Sequence, residues 1–324
     1  MNTNNILLSI CIPTYNREKY LERLLESIVT QSWWSDRVEI CIDDGPSTDN
    51  TQSLVERYQK QYSNIRYFRN DVAIGMMPAI LESISFSQWT YTWLFWSDDA
   101  MAPDALEKTL TIIKKFSPTL VLSDRKVFIS EDQVQSTSLV PELQYSLFHW
   151  FEDFSGYLWN MEDGVVGEKA NYFTYMSIFC FQTDYYRESL RIAQEDGTFE
   201  KMHLLSHYFN YIVILYSRFP PEDIIALIKN NIVYTQDDNC SWKGNTRIID
   251  DLASLFGMVK ERYTLDPKSY IFFRKVLYGW SIAIRGLQGI LNTRLMRFLK
   301  RNSYTRWFYQ FSSRIFAYFL NLFS

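Results

Sequence analysis

The stretch Tyr91-Thr92-Trp93-Leu94-Phe95-Trp96-Ser97-Asp98-Asp99 decides the fold class, because an apolar run ends directly in two acids. Its apolar part is short and bulky, as in buried strands. Pro103 and Asp104 follow in the pattern of a helix start, with the proline in the first turn. Carboxylates at the end of a buried strand lie where open α/β sheets bind ligands. Because adjacent acids repel each other, the pair predicts a divalent cation carrying phosphate.

Strand-like and helix-like segments alternate around this stretch. We predict strands over 6–12, where Pro13 closes the strand, and over 38–42, 65–68, 91–96 and 119–123. Helical periodicity predicts helices over 17–30, about 50–62, 77–85 and 105–116. The alternation predicts a parallel sheet covered by helices on both faces. Further along, 172–181 is apolar, 203–216 is helix-like and 231–235 is strand-like, whereas 125–175 is irregular.

Bulk composition excludes several classes of protein. The chain has 324 residues, of which 47% are hydrophobic and 17% aromatic, and this excludes a disordered protein. The four cysteines show no paired spacing and there are only three histidines, so we expect buried thiols rather than disulfides or zinc. The first five residues do not resemble a signal peptide, which predicts a cytoplasmic protein.

Charge is distributed unevenly along the chain. The formal net charge is −4, yet residues 267–324 contain ten of the 33 basic residues and none of the 37 acids. Apolar and basic side chains there fall on opposite faces of helical patterns, with no run long enough to span a bilayer. The pattern favours peripheral contact with an anionic membrane. The alternative is packing on the body of the protein or on a second copy in a homo-oligomer. Nucleic acid is not a predicted partner.

Three polar segments follow three predicted strands and meet at one edge of the sheet. Ser9-Ile10-Cys11-Ile12-Pro13-Thr14-Tyr15-Asn16-Arg17 resembles the opening of family-2 glycosyltransferases. Asp43-Asp44-Gly45-Pro46-Ser47-Thr48-Asp49 is similar to their Asp-Asp-Gly-Ser-Thr-Asp element, and Ser97-Asp98-Asp99 with Pro103 resembles their metal-binding acidic motif. Each motif alone is weak, but the three in this order are specific. The resemblance covers roughly residues 6–125 well.

The resemblance implies a GT-A fold with a mostly parallel nucleotide-binding sheet flanked by helices. It implies a glycosyltransferase domain over 1–240, with a nucleotide-binding half at about 1–125 and an acceptor-binding half at about 126–240. The helical patterns further along predict a C-terminal region over 241–324 with membrane-associating or oligomerising helices. The resemblance also implies inverting sugar transfer from a nucleoside diphosphate sugar, with Mg²⁺ or Mn²⁺. Such an ion stabilises the charge that builds up on a leaving diphosphate.

Site residues are carried over from the matching motif positions. Asp98 is the expected metal ligand, while Trp96 stands where many members have a further acid. Asp43 is expected to accept a hydrogen bond from the base or ribose. An equal alternative for Asp99 is capping of the following loop or helix. An equal alternative for Arg69 is an ordinary surface ion pair. The full set expected to line the nucleotide is Pro13, Thr14, Tyr15, Arg17, Asp43, Asp44, Arg69, Ser97, Asp98 and Asp99.

The catalytic base is less strongly indicated. Where family members commonly have an acid pair, the chain has a segment that includes His207. An imidazole titrates near neutral pH, so His207 is the first candidate, with Asp196 and Glu200 as further ones. The alternative for His207 is a buried histidine packed between aromatic side chains. For Asp237 and Asp238, the expectation is a contact with the acceptor or the diphosphate, and an exposed turn is an equal alternative.

The combination Met176-Ser177-Ile178-Phe179, followed later by His207, resembles a subgroup of O-antigen transferases that includes abequosyl-type enzymes. Together with the three motifs, this predicts a transferase of bacterial O-antigen or other surface-polysaccharide assembly. It would move a sugar, with a deoxyhexose as one candidate, to a lipid-linked saccharide at the inner face of the plasma membrane. A nucleotidyltransferase is disfavoured because Pro13 to Arg17 is not a basic, glycine-rich loop. A non-catalytic saccharide-binding or scaffold protein of the same fold is the remaining alternative.

Overall fold

The computed structural model describes residues 8–128, 142–149, 153, 154, 157, 175–195 and 223–236. Within this part, nine strands form one sheet in the order β3-β2-β1-β4-β8-β6-β9-β5, with β7 paired to β9. The strands are β1 (Leu8–Thr14), β2 (Val38–Asp44), β3 (Ile65–Arg69), β4 (Tyr91–Leu94), β5 (Ala100–Met101), β6 (Leu120–Phe128), β7 (Tyr145–Phe148), β8 (Phe179–Gln182) and β9 (Ile225–Gln236). The helices are α1 (Glu18–Val29), α2 (Thr51–Gln59), α3 (Met76–Ser85), α4 (Ala105–Phe116) and α5 (Thr183–Glu195), with a 3-10 turn at Met176–Ile178.

The first four strands run parallel, as the strand–helix alternation predicts. β1 pairs with β2 and β4, and β2 pairs with β3, all in parallel. Both β1 and β2 are buried along their whole length, so they are covered on both faces. Their carboxyl ends, at Thr14 and Asp44, lie side by side. This half of the sheet therefore brings the first two polar segments to one edge.

The other half of the sheet is mixed. β8 runs antiparallel to both β4 and β6, whereas β9 is parallel to β6 and antiparallel to β5 and β7. The short strands β5, β7 and β8, the first half of β9 and the helix α5 were not predicted, and the sequence showed only an apolar segment at 172–181. β5 has only two residues, and a segment that short carries no periodicity of its own.

Apolar stripes attach the helices to the sheet. Leu21, Leu24, Leu25 and Ile28 recur at helical spacing along α1 and are fully buried. Burying each such side chain stabilises the fold by about 1.5–3 kcal/mol. On the other face, α3 packs on β1 and β2, and the rings of Phe68 and Phe86 stack with centroids 3.6 Å apart. Strands β1 to β4 and their helices thus form a layered α/β arrangement.

Several predicted boundaries differ from the structure, among them the ends of β2, at Asp44, and of β6, at Phe128. Two further strand ends and one helix start lie close to the polar segments. β1 continues through Pro13 to Thr14, because β4 stops pairing with β1 at Cys11 and a missing N–H beyond that point costs no ladder bond. β4 ends at Leu94 rather than Trp96, whose N–H donates to the Ser177 hydroxyl instead. Pro103 precedes the N-cap Asp104 of α4 and so lies outside the first turn.

Three of the four cysteines, Cys11, Cys41 and Cys180, are buried free thiols as predicted, and Cys240 lies outside the described residues. Outside them too lie the predicted helix at 203–216 and the boundary between 1–240 and 241–324. In the part of the chain that is described, no helix is long and apolar enough to cross a membrane.

Candidate functional site

The ends of β1, β2 and β3 place Thr14, Asp44 and Arg69 next to one another in register. The chain leaving β4 reaches the same edge, because the N–H of Phe95 still donates to the carbonyl of Cys11, 2.9 Å away. The Asp98 carboxylate is there 3.8 Å from the guanidinium of Arg17. The three polar segments that follow these strands in sequence are therefore neighbours in space.

Asp43 is a buried carboxylate whose two oxygens have different surroundings. Its side chain has no exposed surface. Oδ1 accepts a hydrogen bond from Asn70 Nδ2 at 3.0 Å, whereas Oδ2 is buried without a hydrogen-bond partner in the described part of the chain. Burial, the main cause, and the nearby charge of Glu82 raise the pKa of Asp43 to about 7, although the bond from Asn70 lowers it. An orphaned buried acceptor is costly unless a ligand supplies the donor.

Asp44, the next residue, has both oxygens occupied. Ser47 Oγ donates to Oδ1, and Oδ2 accepts from Tyr67 OH at 2.5 Å and from Arg69 Nη1 at 2.9 Å. Arg69 Nη2 also donates to the Ser47 carbonyl oxygen at 2.8 Å. Asp44 thereby holds the following loop against β3 and orients the Arg69 guanidinium, which is about one-third exposed.

Asn16 joins the two loops that leave β1 and β2. It adopts a left-handed backbone, φ 52°, which asparagine tolerates better than most residues. Its N–H donates to Ser47 Oγ at 2.8 Å, and its Oδ1 accepts from the N–H of Thr48 at 2.7 Å. The neighbouring Tyr15 is 51% exposed and lies over Gly45, where an added Cβ would come within 3.1 Å of the tyrosine ring. A flat aromatic face is thus presented near the end of β2.

Asp99 points into the protein and Asp98 does not. Asp99 is 1% exposed and accepts a hydrogen bond from Ser177 Oγ. Burial, followed by the charge of Asp98, raises its pKa well above the usual range. Of the alternative that Asp99 caps the following loop or helix, the helix part is wrong, since α4 has no side-chain cap and its N-cap is Asp104. Asp99 serves as an internal anchor for the loop that carries Asp98.

Asp98 has a partly exposed carboxylate, 23% accessible, among basic side chains. Arg17 lies 3.8 Å from its Oδ2, and Arg23 Nη2 donates to its backbone carbonyl at 2.5 Å. Among the described residues, no group of three or more His, Cys, Asp or Glu could hold a metal ion by itself. The site fits Mg²⁺ or Mn²⁺ held by one hard carboxylate oxygen, with phosphate and water as the other ligands.

Several residues of this edge were not assigned a role from the sequence. Asn70 comes directly after Arg69 at the end of β3, and its position behind a strand could have indicated a polar role. Arg23 lies on α1 and Ser177 in the 3-10 turn, far from Asp98 in sequence. Only the fold brings these two to the acidic segment.

The remaining predicted residues divide into buried and undescribed ones. Pro13 is buried inside β1, Ser97 is 5% exposed, and the hydroxyl of Thr14 is buried without a hydrogen-bond partner among the described residues. His207 and Asp196, the candidate bases, lie outside the described residues, as do Asp237 and Asp238. Gly75, before α3, has φ 88°, a backbone conformation that favours glycine.

Comparison with known proteins gives a family match over the described edge. The family model described as Glycosyl transferase family 2 matches residues 9–179. Abequosyltransferase RfbV of Salmonella typhimurium is 42% identical over 122 residues, which cover 37% of this chain and 36% of that protein. The chain thus matches little more than a third of the length of this relative.

Solved structures extend the likeness to most of the chain. TarS 1–349 of S. aureus in complex with UDP-GlcNAc aligns with a TM-score of 0.59 at 15% identity, over 86% of this chain and 74% of TarS. The mannosyltransferase PcManGT from Pyrobaculum calidifontis, in complex with GDP-Man and Mn²⁺, aligns with a TM-score of 0.54 at 14% identity, over 97% and 86% of the two chains. At such identities the likeness concerns the fold alone.

Proposed function

The chain belongs to glycosyltransferase family 2 and has the GT-A fold, and from this we propose that it transfers a sugar from a nucleoside diphosphate sugar to a saccharide acceptor. The observation that carries the proposal is the buried carboxylate of Asp43. Its Oδ2 has no hydrogen-bond partner in the described part of the chain. It lies at the carboxyl edge of the sheet, where α/β folds bind ligands.

Asp43 and Tyr15 suit the nucleoside part of the donor. An N–H of a base or an O–H of a ribose would complete the hydrogen bonding of Asp43 Oδ2, and the half-exposed ring of Tyr15 offers a surface for stacking. Thr14 Oγ1 is a second buried polar atom without a partner among the described residues. We assign these three side chains to base and ribose recognition.

Asp98, Arg17 and Arg69 suit the diphosphate. Both arginine side chains are about one-third exposed, and their guanidiniums can bind phosphate oxygens in a bidentate manner. Asp98 is the residue that would hold Mg²⁺ or Mn²⁺. When bound, such an ion stabilises the negative charge of a leaving diphosphate without a proton transfer. Asp44 positions Arg69 and the loop after β2, whereas Asp99 and Ser177 position the backbone of Asp98.

Inverting transfer also needs a base that takes the proton of the acceptor hydroxyl. We propose His207 for this role, with Asp196 as the alternative. Asp196 follows α5, which packs against β8. A loss of transfer in His207→Gln with unchanged nucleotide binding would support this role, whereas full transfer in that variant would exclude it.

The similarity to an abequosyltransferase supports a role in O-antigen or other surface-polysaccharide synthesis. We propose a deoxyhexose donor and a lipid-linked acceptor at the cytoplasmic face of the membrane. The basic region 267–324 would keep the enzyme near such an acceptor by attraction to anionic lipids.

The nucleotide preference is tested by a thermal-shift screen of UDP, CDP, GDP, ADP and dTDP, each with and without Mn²⁺. A ligand that binds only the folded state raises the melting temperature by mass action. We expect one nucleotide to raise it most, and Asp98→Asn to remove the Mn²⁺-dependent part. Asp104→Asn is the matched control, because Asp104 is an acid of the same segment that pairs with Lys108. Absence of any nucleotide-dependent shift would contradict the proposal.

Turnover separates an enzyme from a scaffold of the same fold. Slow hydrolysis of the preferred donor sugar, dependent on Mn²⁺ and lost in Asp98→Asn, is expected for the enzyme. Donor binding without hydrolysis or transfer would favour the scaffold.

Membrane contact is tested on the full chain. Replacing Arg297, Lys300 and Arg301 by glutamine should reduce co-sedimentation with anionic vesicles, and added salt should do the same. Neutral vesicles are the control, and equal binding to both kinds of vesicle would exclude the electrostatic attraction.

A further inference from the structure

Two arginines share one aromatic ring beside Asp98. The guanidinium carbons of Arg17 and Arg23 lie 5.3 Å and 5.5 Å from the centre of the Tyr20 ring. The same two side chains reach Asp98, Arg17 at the carboxylate and Arg23 at the backbone carbonyl. We call Arg17, Tyr20 and Arg23 the arginine cluster. It places two positive charges at the residue expected to hold a divalent cation.

The two arginines are attached to Asp98 differently. Arg23 donates a short hydrogen bond to a backbone oxygen, so it fixes the loop whatever the carboxylate does. Arg17 makes a longer contact of 3.8 Å between groups that are 30% and 23% exposed. Such a pair is worth little and exchanges readily for a stronger partner. A diphosphate is a stronger partner, because it offers several charged oxygens to one guanidinium.

Arg17 and a divalent cation are therefore competitors for Asp98. A guanidinium a few ångströms from the carboxylate repels an ion of charge +2, and water screens this repulsion only in part. Negative charge from a diphosphate would reverse the balance, since Arg17 can turn to the phosphate and leave the carboxylate to the ion.

We propose that Arg17, besides binding the diphosphate, keeps Asp98 from holding a divalent cation until a nucleoside diphosphate is bound. Metal ion and nucleotide then bind with strong mutual dependence, and each raises the affinity for the other by the same factor. The inference rests on the proposed function, because it takes Asp98 as the metal ligand and a diphosphate as the donor. It adds an order of binding that Arg17 imposes.

The test is direct measurement of Mn²⁺ binding by electron paramagnetic resonance, without turnover. Each protein is titrated with Mn²⁺ alone, and then with Mn²⁺ and whichever of UDP, CDP, GDP, ADP and dTDP gives the largest thermal shift. The measured quantity is the ratio of the two Mn²⁺ dissociation constants. For the wild-type protein we expect the nucleotide to strengthen Mn²⁺ binding by roughly 10- to 100-fold.

Arg17→Gln should bind Mn²⁺ alone more tightly, by roughly three- to tenfold, because the competing charge is gone. Its nucleotide-dependent strengthening should fall by the same factor, roughly three- to tenfold, because the ion no longer needs the nucleotide to displace Arg17. Arg17→Lys keeps the charge and should resemble the wild-type protein. Arg57→Gln is the matched control, since Arg57 also pairs with an exposed acid, Glu22, and lies over a tyrosine ring.

Two results overturn the inference and leave the proposed function intact. One is an Arg17→Gln variant whose Mn²⁺ affinity without nucleotide is unchanged while the wild-type protein binds Mn²⁺ with nucleotide. The other is an Arg17→Lys variant that binds Mn²⁺ without nucleotide as tightly as Arg17→Gln does, which would exclude charge as the cause. Failure of the wild-type protein to bind Mn²⁺ even with nucleotide would instead overturn the metal assignment of Asp98, and with it this inference.

Discussion

Asp43 and Asp44 are consecutive residues of one strand with opposite surroundings. Asp44 accepts three hydrogen bonds through both oxygens, from Ser47, Tyr67 and Arg69. Asp43 accepts one, from Asn70, and its second oxygen has no partner among the described residues. Consecutive residues of a strand point to opposite faces of the sheet. One acid therefore builds the site and the other is left available to a ligand.

Asp43→Asn should change how stability depends on pH. The pKa of Asp43 is about 7 in the folded protein, above its value in the unfolded chain. A carboxyl with a raised pKa costs no stability below about pH 4, lowers stability as pH rises to about 7, and has a constant effect above that. The free energy of unfolding of the variant should therefore increase relative to that of the wild-type protein between about pH 4 and 7, by up to about 2–4 kcal/mol. Urea unfolding of both proteins at about pH 4.5 and about pH 8, near the two ends of this pH range, measures the difference in stability.

The same variant separates stability from binding. The introduced amide would present an N–H where a ligand donor is expected, so nucleotide-dependent thermal shifts should disappear. Glu82→Gln is a control, because it removes the neighbouring charge but leaves the acceptor of Asp43 in place. An Asp43→Asn variant with equal stability gain at both pH values would contradict the raised pKa.

Arg69→Gln should destabilise the protein more than Asp44→Asn. Asp44 is fully buried, whereas the Arg69 side chain is 34% exposed. Removing the arginine leaves a buried charge without its counter-ion, at a cost of about 2–3 kcal/mol, while the arginine left alone can turn to water. The double variant should be about as stable as Asp44→Asn, which a double-mutant cycle in urea would measure. Equal costs for the two single variants would contradict this expectation.

Ser177→Ala should affect the acidic segment through two lost contacts. The hydroxyl donates to Asp99 Oδ2 and accepts from the N–H of Trp96 at 2.9 Å. Both groups are buried or partly buried, so we expect a loss of about 1–3 kcal/mol and a weaker Mn²⁺-dependent thermal shift. Ser123→Ala is the matched control, because the Ser123 hydroxyl is buried without a hydrogen-bond partner in the described part of the chain. That variant should be near neutral in both measurements.

Gly45→Ala should weaken nucleotide binding more than it weakens folding. The new methyl group would lie 3.1 Å from Tyr15 Cδ2 and 3.4 Å from Tyr15 Cβ. The exposed ring can move away at small cost, so stability should fall by no more than about 1 kcal/mol. Nucleotide affinity should fall if the ring stacks on the base. Unchanged affinity, measured by calorimetry, would exclude Tyr15 from the binding surface.

The order of strands and helices in 8–128 was largely determined by the sequence alone. Apolar runs of period two or 3.6 lie within ten or so residues, so local pattern suffices to predict them. Tyr91 to Leu94 and the helix at Glu18–Val29 are examples. The short β5 and the mixed half of the sheet could not be predicted, because their pairing depends on strands far away in sequence.

The meeting of the three polar segments at one edge also followed from the sequence, since the carboxyl ends of neighbouring parallel strands share an edge. The sequence did not show which acid of each pair is held by hydrogen bonds within the protein and which is available to a ligand. This difference is set by Asn70 beside Asp43, by Arg69 beside Asp44 and by Ser177 beside Asp99, which are 25 to 78 residues away along the chain. Burial and hydrogen bonding decide whether a carboxylate is a structural anchor or a ligand-binding group. Both burial and these hydrogen bonds arise only in the tertiary structure.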